Sequence, residues 1–249
     1  MHAQLSKLHE MRNFGGAART VGIADEALES LLAGFPDLAE AIDAAHASYL
    51  ELKPSMAEFL AMDEQGQIDS AQAAFVNFYP DDAVNPYVSL AARGPWVVTV
   101  KGAVLHDSGG YGMLGFGHTP KAVLTVMAEP QVMANVMTPN LAQMKLAHAL
   151  RREIGHTRGG SPYTNFMCLN SGSESVSLAC RIADVNAKLM TDPGARYAGR
   201  AIKRLAVKGA FHGRTEGPAK YSDSSRKSYV QNLASYRHDD SLITIEPYS

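Results

Sequence analysis

The most constraining stretch in this chain is Asn170-Ser171-Gly172-Ser173-Glu174-Ser175. It follows a short apolar run, Phe166-Met167-Cys168-Leu169. It opens a helical pattern that places Val176, Ala179, Ile182, Ala183 and Ala187 on one face. A buried strand, a tight Gly/Ser turn and an amphipathic helix are the elements this order predicts. The first turn of such a helix carries unpaired N–H groups and the positive end of the macrodipole, so an anion can sit there. Gly172 lets the backbone approach that anion, and the serine hydroxyls add donors. The same residues also describe an ordinary helix start, with Ser171 or Ser173 as N-cap and Glu174 favourable in the first turn. These residues alone leave both readings open.

A second stretch bears on that choice. Leu205-Ala206-Val207-Lys208-Gly209-Ala210-Phe211-His212-Gly213-Arg214-Thr215 reads as another short strand ending in an aromatic, a histidine and a glycine. Upstream, Trp96 to Asp107 suggests a β-hairpin with a Lys101-Gly102 turn. A glycine-rich bend follows, and Gly117-His118-Thr119-Pro120 precedes a helix starting near Lys121. In this order the three segments resemble class III aminotransferases, pyridoxal-phosphate enzymes of fold type I.

The resemblance implies an α/β fold: a fold type I large domain, a mixed sheet with helices on both faces, incomplete and preceded by a helical N-terminal segment. It implies pyridoxal 5'-phosphate as cofactor, with Ser171, Gly172 and Ser173 forming the phosphate cup. Phe211 would lie against the pyridine ring and His212 would shape the pocket edge. Tyr111, in the glycine-rich bend, is a candidate for the substrate pocket, with a core aromatic the equal alternative. Family members act on an amine or amino acid and an oxo acid, and are homodimers. In the family a ring-binding aspartate and the cofactor-linked lysine follow the Phe-His motif. After Thr215 the chain contains Lys220 and Lys227, in polar sequence, and Asp239-Asp240, outside any apolar strand. Glu246-Pro247 stands too close to Phe211 to be the family's later Glu-Pro segment. The resemblance therefore implies no catalytic residue here, the lysine being expected beyond Ser249, and a chain that is a fragment, a truncated product or one piece of a split protein, without turnover of its own. A non-catalytic relative acting in binding or assembly is the alternative.

Other readings are weaker. Gly110, Gly112 and Gly115 satisfy G-x-G-x-x-G, but that fingerprint must follow a parallel strand and turn directly into a helix. Here Gly117, His118 and Pro120 delay the helix. Asp63-Glu64-Gln65-Gly66 lacks calcium-loop spacing and reads as a polar break in solvated loop. The net charge of -2, with 19% charged residues, argues against a nucleic-acid footprint. Cys168 and Cys180 imply no disulfide framework. No metal site is suggested. Met1 to Phe14 lacks an apolar signal core and no run is long enough to span a membrane, so a cytoplasmic location is expected.

By texture the chain divides into a helical N-terminal segment, residues 1–95, and residues 96–249, holding the hairpin and the first part of the cofactor-binding domain. Within the first, helical pattern extends from about Ile23 to Phe78, with Leu38, Ile42, Ala45 and Tyr49 as a stripe behind Pro36. In the second, a helix is expected over Pro130 to Met137 and another from Asn140 to Gly155. Tyr221 to Lys227 reads as exposed loop, and Leu242 to Ile245 as a short strand.

Overall fold

The computed structural model describes residues 3–76, 87–108, 115–132, 134–135, 137–237 and 241–247. The chain forms two compact units, residues 1–133 and 134–249.

The first unit is built on α3 (Pro36–Leu52). Proline at its first turn loses no hydrogen bond there, and Leu38, Ala41, Ile42, Ala45 and Tyr49 recur at helical spacing, all buried. α1 (Ala3–Arg12) and α2 (Asp25–Leu32) pack on this stripe through Leu5, Leu8, Met11, Leu28 and Leu32. Its other side meets an antiparallel meander of β1 (Ser89–Arg93), β2 (Trp96–Thr99) and β3 (Val104–His106). The expected hairpin is present, with Trp96 opposite His106 and Val98 opposite Val104. Its three-residue loop ends in Gly102 at φ +69°, the left-handed conformation such a loop requires. The unit also holds α4 (Ala57–Ala61), α5 (Glu64–Gln72) and α6 (Lys121–Met127), the last beginning where the sequence predicts.

One expectation changes here. Asp63 to Gly66 is not a solvated break. Asp63 caps α5 by accepting from the Gly66 N–H at 2.7 Å, and Glu64 is buried because its carboxylate accepts from the backbone N–H groups of Arg19 (2.6 Å) and Thr20 (2.7 Å). Lys101, in the hairpin loop, is buried. Its ammonium donates to the carbonyl oxygens of Gly15, Leu60 and Met62, tying the hairpin to the loop after α1 and to the end of α4.

The second unit contains α7 (Leu141–Gly155), α8 (Gly172–Thr191), β4 (Arg204–Val207), α9 (Glu216–Ala219), α10 (Arg226–Asn232) and β5 (Leu242–Ile245). β4 and β5 pair in parallel, and α9 and α10 lie in the crossover that a parallel pair requires. Asn140 caps α7 in a reciprocal box with Gln143. Three readings are corrected. Phe166 to Leu169 is not a buried strand: no other strand pairs with it among the described residues, and Met167 and Leu169 are exposed. The described residues between Pro130 and Met137 form no helix. Residues 221–227 are not simply loop, since a 3₁₀ turn (Asp223–Ser225) leads into α10 and Ser222 is buried.

The whole is a mixed α/β architecture with helices ahead of it, the class the sequence implies. Among the described residues no helix is long and apolar enough to cross a membrane.

Candidate functional site

Gly172 is the first residue of α8, a twenty-residue helix, and Ser171 is its N-cap. Ser171 Oγ accepts from the Glu174 N–H at 3.2 Å, and the Glu174 carboxylate reaches back to accept from the Asn170 N–H at 2.8 Å. Glu174 thus closes its own helix turn. First-turn geometry leaves the N–H groups of Gly172 and Ser173 without carbonyl partners inside the helix. A Cβ built on Gly172 would meet nothing within 4 Å, so the approach to these two donors is open.

The second motif comes to the same helix end. After β4 the chain passes through Phe211 and His212 and turns at Gly213, where φ is +120°. A Cβ there would lie 2.4 Å from Ser173 Oγ, too close for any real contact, so only glycine lets the segment rest against that serine. One turn further along, Ser177 Oγ stands 3.2 Å from Thr215 Oγ1 and donates to the Ser173 carbonyl at 2.8 Å. The segment is held from behind by Ser222, whose hydroxyl accepts from the His212 N–H at 2.9 Å and faces the carbonyl oxygens of Gly213 and Pro218.

Ser171, Gly172, Ser173 and Gly213 therefore share one helix end. Phe211 is 56% exposed, and the Arg214 guanidinium carbon lies 5.6 Å from its ring centroid. His212 is exposed, and its backbone N–H donates to the Ser222 hydroxyl. Tyr111 lies outside the described residues. Sequence reasoning missed Ser222: it sits in a polar run with nothing to mark it as the support of a turn ten residues earlier. Arg214 was visible as a motif member, but its place over the ring was not.

Chemically, the arrangement offers two backbone donors and serine hydroxyls at the positive end of a long helix, with a flat aromatic face on the adjoining segment. These residues suit an anion attached to a planar group. Among the described residues no cluster of three or more His, Cys, Asp or Glu could hold a metal ion.

Comparison with curated proteins returned no match. A family model described as Aminotransferase class-III matches residues 78–237, more than half of the 249 residues and a span that includes both motifs and the hairpin. On that match, the chain belongs to the class III aminotransferase family.

Proposed function

We propose that the protein is a pyridoxal-phosphate-dependent aminotransferase, moving an amino group from an amine or amino acid to an oxo acid. The observation that carries the reading is the close approach of Gly213 to Ser173, which brings two motifs about forty residues apart to one helix end. In this reading Ser171, Gly172 and Ser173 hold the cofactor phosphate, through the N–H groups of Gly172 and Ser173 and the serine hydroxyls. Phe211 covers one face of the ring, His212 borders it, and Tyr111 lines the substrate pocket. When bound, the cofactor supplies a conjugated ring able to accept the electron pair released as the substrate loses a proton. The protein side of that work is orientation: the helix end fixes the phosphate, and the aromatic keeps water from one face of the ring.

No lysine within residues 78–237 stands in the pattern in which the family carries its cofactor-linked lysine. The proposal accordingly gives these residues binding and orientation, and gives no turnover to them alone. Homodimerisation and a cytoplasmic location complete the reading. The test is an equilibrium titration of the full chain with pyridoxal phosphate, followed by absorbance and by quenching of intrinsic fluorescence. Saturable binding, weakened about tenfold in Phe211→Ala through loss of the stacked ring, is the expected result. Absence of saturable binding, or equal affinity in the variant, would overturn it.

A further inference from the structure

A cavity of about 580 Å³ lies on the flank of α8, bounded by α9 and by the start of β4. Its helix wall is Ser177, Cys180, Arg181 and Asp184, spaced i, i+3, i+4 and i+7 so that they share one face. Gly217 of α9 packs opposite at ordinary van der Waals distance: a Cβ there would stand 3.7 Å from Ser177 Cα and 3.9 Å from Cys180 Cβ. The lining carries three cations, Arg181, Arg204 and Lys220, against two carboxylates, Asp184 and Glu216. Lys220 faces Glu216 at 3.4 Å across one helical turn, and Arg204 donates to Ser241 Oγ. Arg181 makes no ion pair among the described residues. Tyr221 adds a phenol whose pKa is pushed up by its burial and then by the adjacent Cys180, so it remains a hydroxyl donor at neutral pH. The volume falls in the range of small-molecule sites, about 300–1,000 Å³, and exceeds what a bare inorganic ion fills.

We propose that this cavity, on the flank of α8 and bordered by Thr215 at the end of the Phe211 to Thr215 segment, is a second ligand site, taking a small organic anion whose carboxylate or phosphate is engaged by the Arg181 guanidinium. Guanidinium groups suit either oxyanion because their planar fork donates two parallel hydrogen bonds. Lys220 and the Tyr221 hydroxyl supply further donors at the α9 wall, and the position of Cys180 makes its thiol a reporter of occupancy.

The experiment uses the full chain carrying Cys168→Ser, which leaves Cys180 as the single thiol. The rate of its reaction with a soluble aromatic disulfide is followed against inorganic phosphate, and separately against succinate, at constant ionic strength set with chloride. Saturable slowing by phosphate, by succinate or by both is expected, and the pattern tells phosphate-bearing from carboxylate-bearing ligands. Arg181→Ala, an exposed position whose replacement leaves the core intact, raises the half-saturating concentration about tenfold, as loss of a charge-assisted contact would. Phe211→Ala, at the other site, leaves it unchanged. Slowing by neither anion, slowing that chloride reproduces, or an unchanged response in Arg181→Ala would overturn the proposal.

Discussion

Adding one methyl group at Gly213 would bring a carbon to 2.4 Å from Ser173 Oγ, at a backbone φ of +120° that side-chain-bearing residues rarely adopt. Gly213→Ala is therefore expected to move the segment off α8 and destabilise the second unit by about 1–3 kcal/mol. Thermal and urea unfolding of the variant check this. Lys101 is a second such position, in the first unit. Lys101→Met leaves three carbonyl groups without their common donor, and a loss of about 2–4 kcal/mol is expected. Fluorescence of Trp96, the single tryptophan, reports it in a denaturant titration. Asp25 ties α2 to α1. The Arg12 guanidinium at 2.7 Å, and then His9 at 2.7 Å, hold its carboxyl below the ordinary aspartate value. A lowered native pKa stabilises the fold above the ordinary value and loses that contribution as pH falls through the native one. The stability difference between wild type and Asp25→Asn should thus be constant near neutrality and shrink below about pH 4, as measured by thermal melts across pH.

Helix ends and strand partners decide which elements were legible. α3 was readable because proline, an apolar stripe and a buried aromatic all agree along one local stretch. α8 was readable for the same reason: Ser171 at the cap and Glu174 three residues on form a local signal, and both make the bonds that signal implies. Ser171→Ala should cost about 1 kcal/mol, seen as a lower unfolding midpoint and reduced helicity, because the Glu174 N–H loses its acceptor. The misses share another physical origin. Phe166 to Leu169 has the composition of a strand, but a strand is defined by a neighbour, and no local pattern supplies one. Asp63 to Gly66 looks like loop because first helical turns are polar. What buries Glu64 is the backbone of Arg19 and Thr20, more than forty residues away. At the site, both motifs were legible residue by residue. Their meeting at Ser173, and the support from Ser222, belong to tertiary structure and leave no local trace.

At the scale of the whole molecule, the two units differ in how much apolar surface they bury. The first has a continuous core in which α1, α2, α3 and the meander contribute fully buried side chains. In the second, Ile182, Leu189, Leu205 and Ile243 all remain exposed, and few of the described side chains are buried. Local stability follows buried contacts, so amides of α3 and β2 should exchange with solvent far more slowly than those of β4 and β5. Hydrogen exchange read by mass spectrometry tests this, and uniform protection across both units would contradict it. The central claim is that the α8 end and the segment from Phe211 to Thr215 together hold a phosphate attached to a flat ring. Its most direct measurement compares the affinities of pyridoxal phosphate and unphosphorylated pyridoxal for the wild type and for Gly213→Ala. The account predicts that the phosphate strengthens binding by about a hundredfold in the wild type, and that most of this gain disappears in the variant. Equal affinity for the two compounds in the wild type, or a phosphate gain that survives Gly213→Ala undiminished, would contradict it.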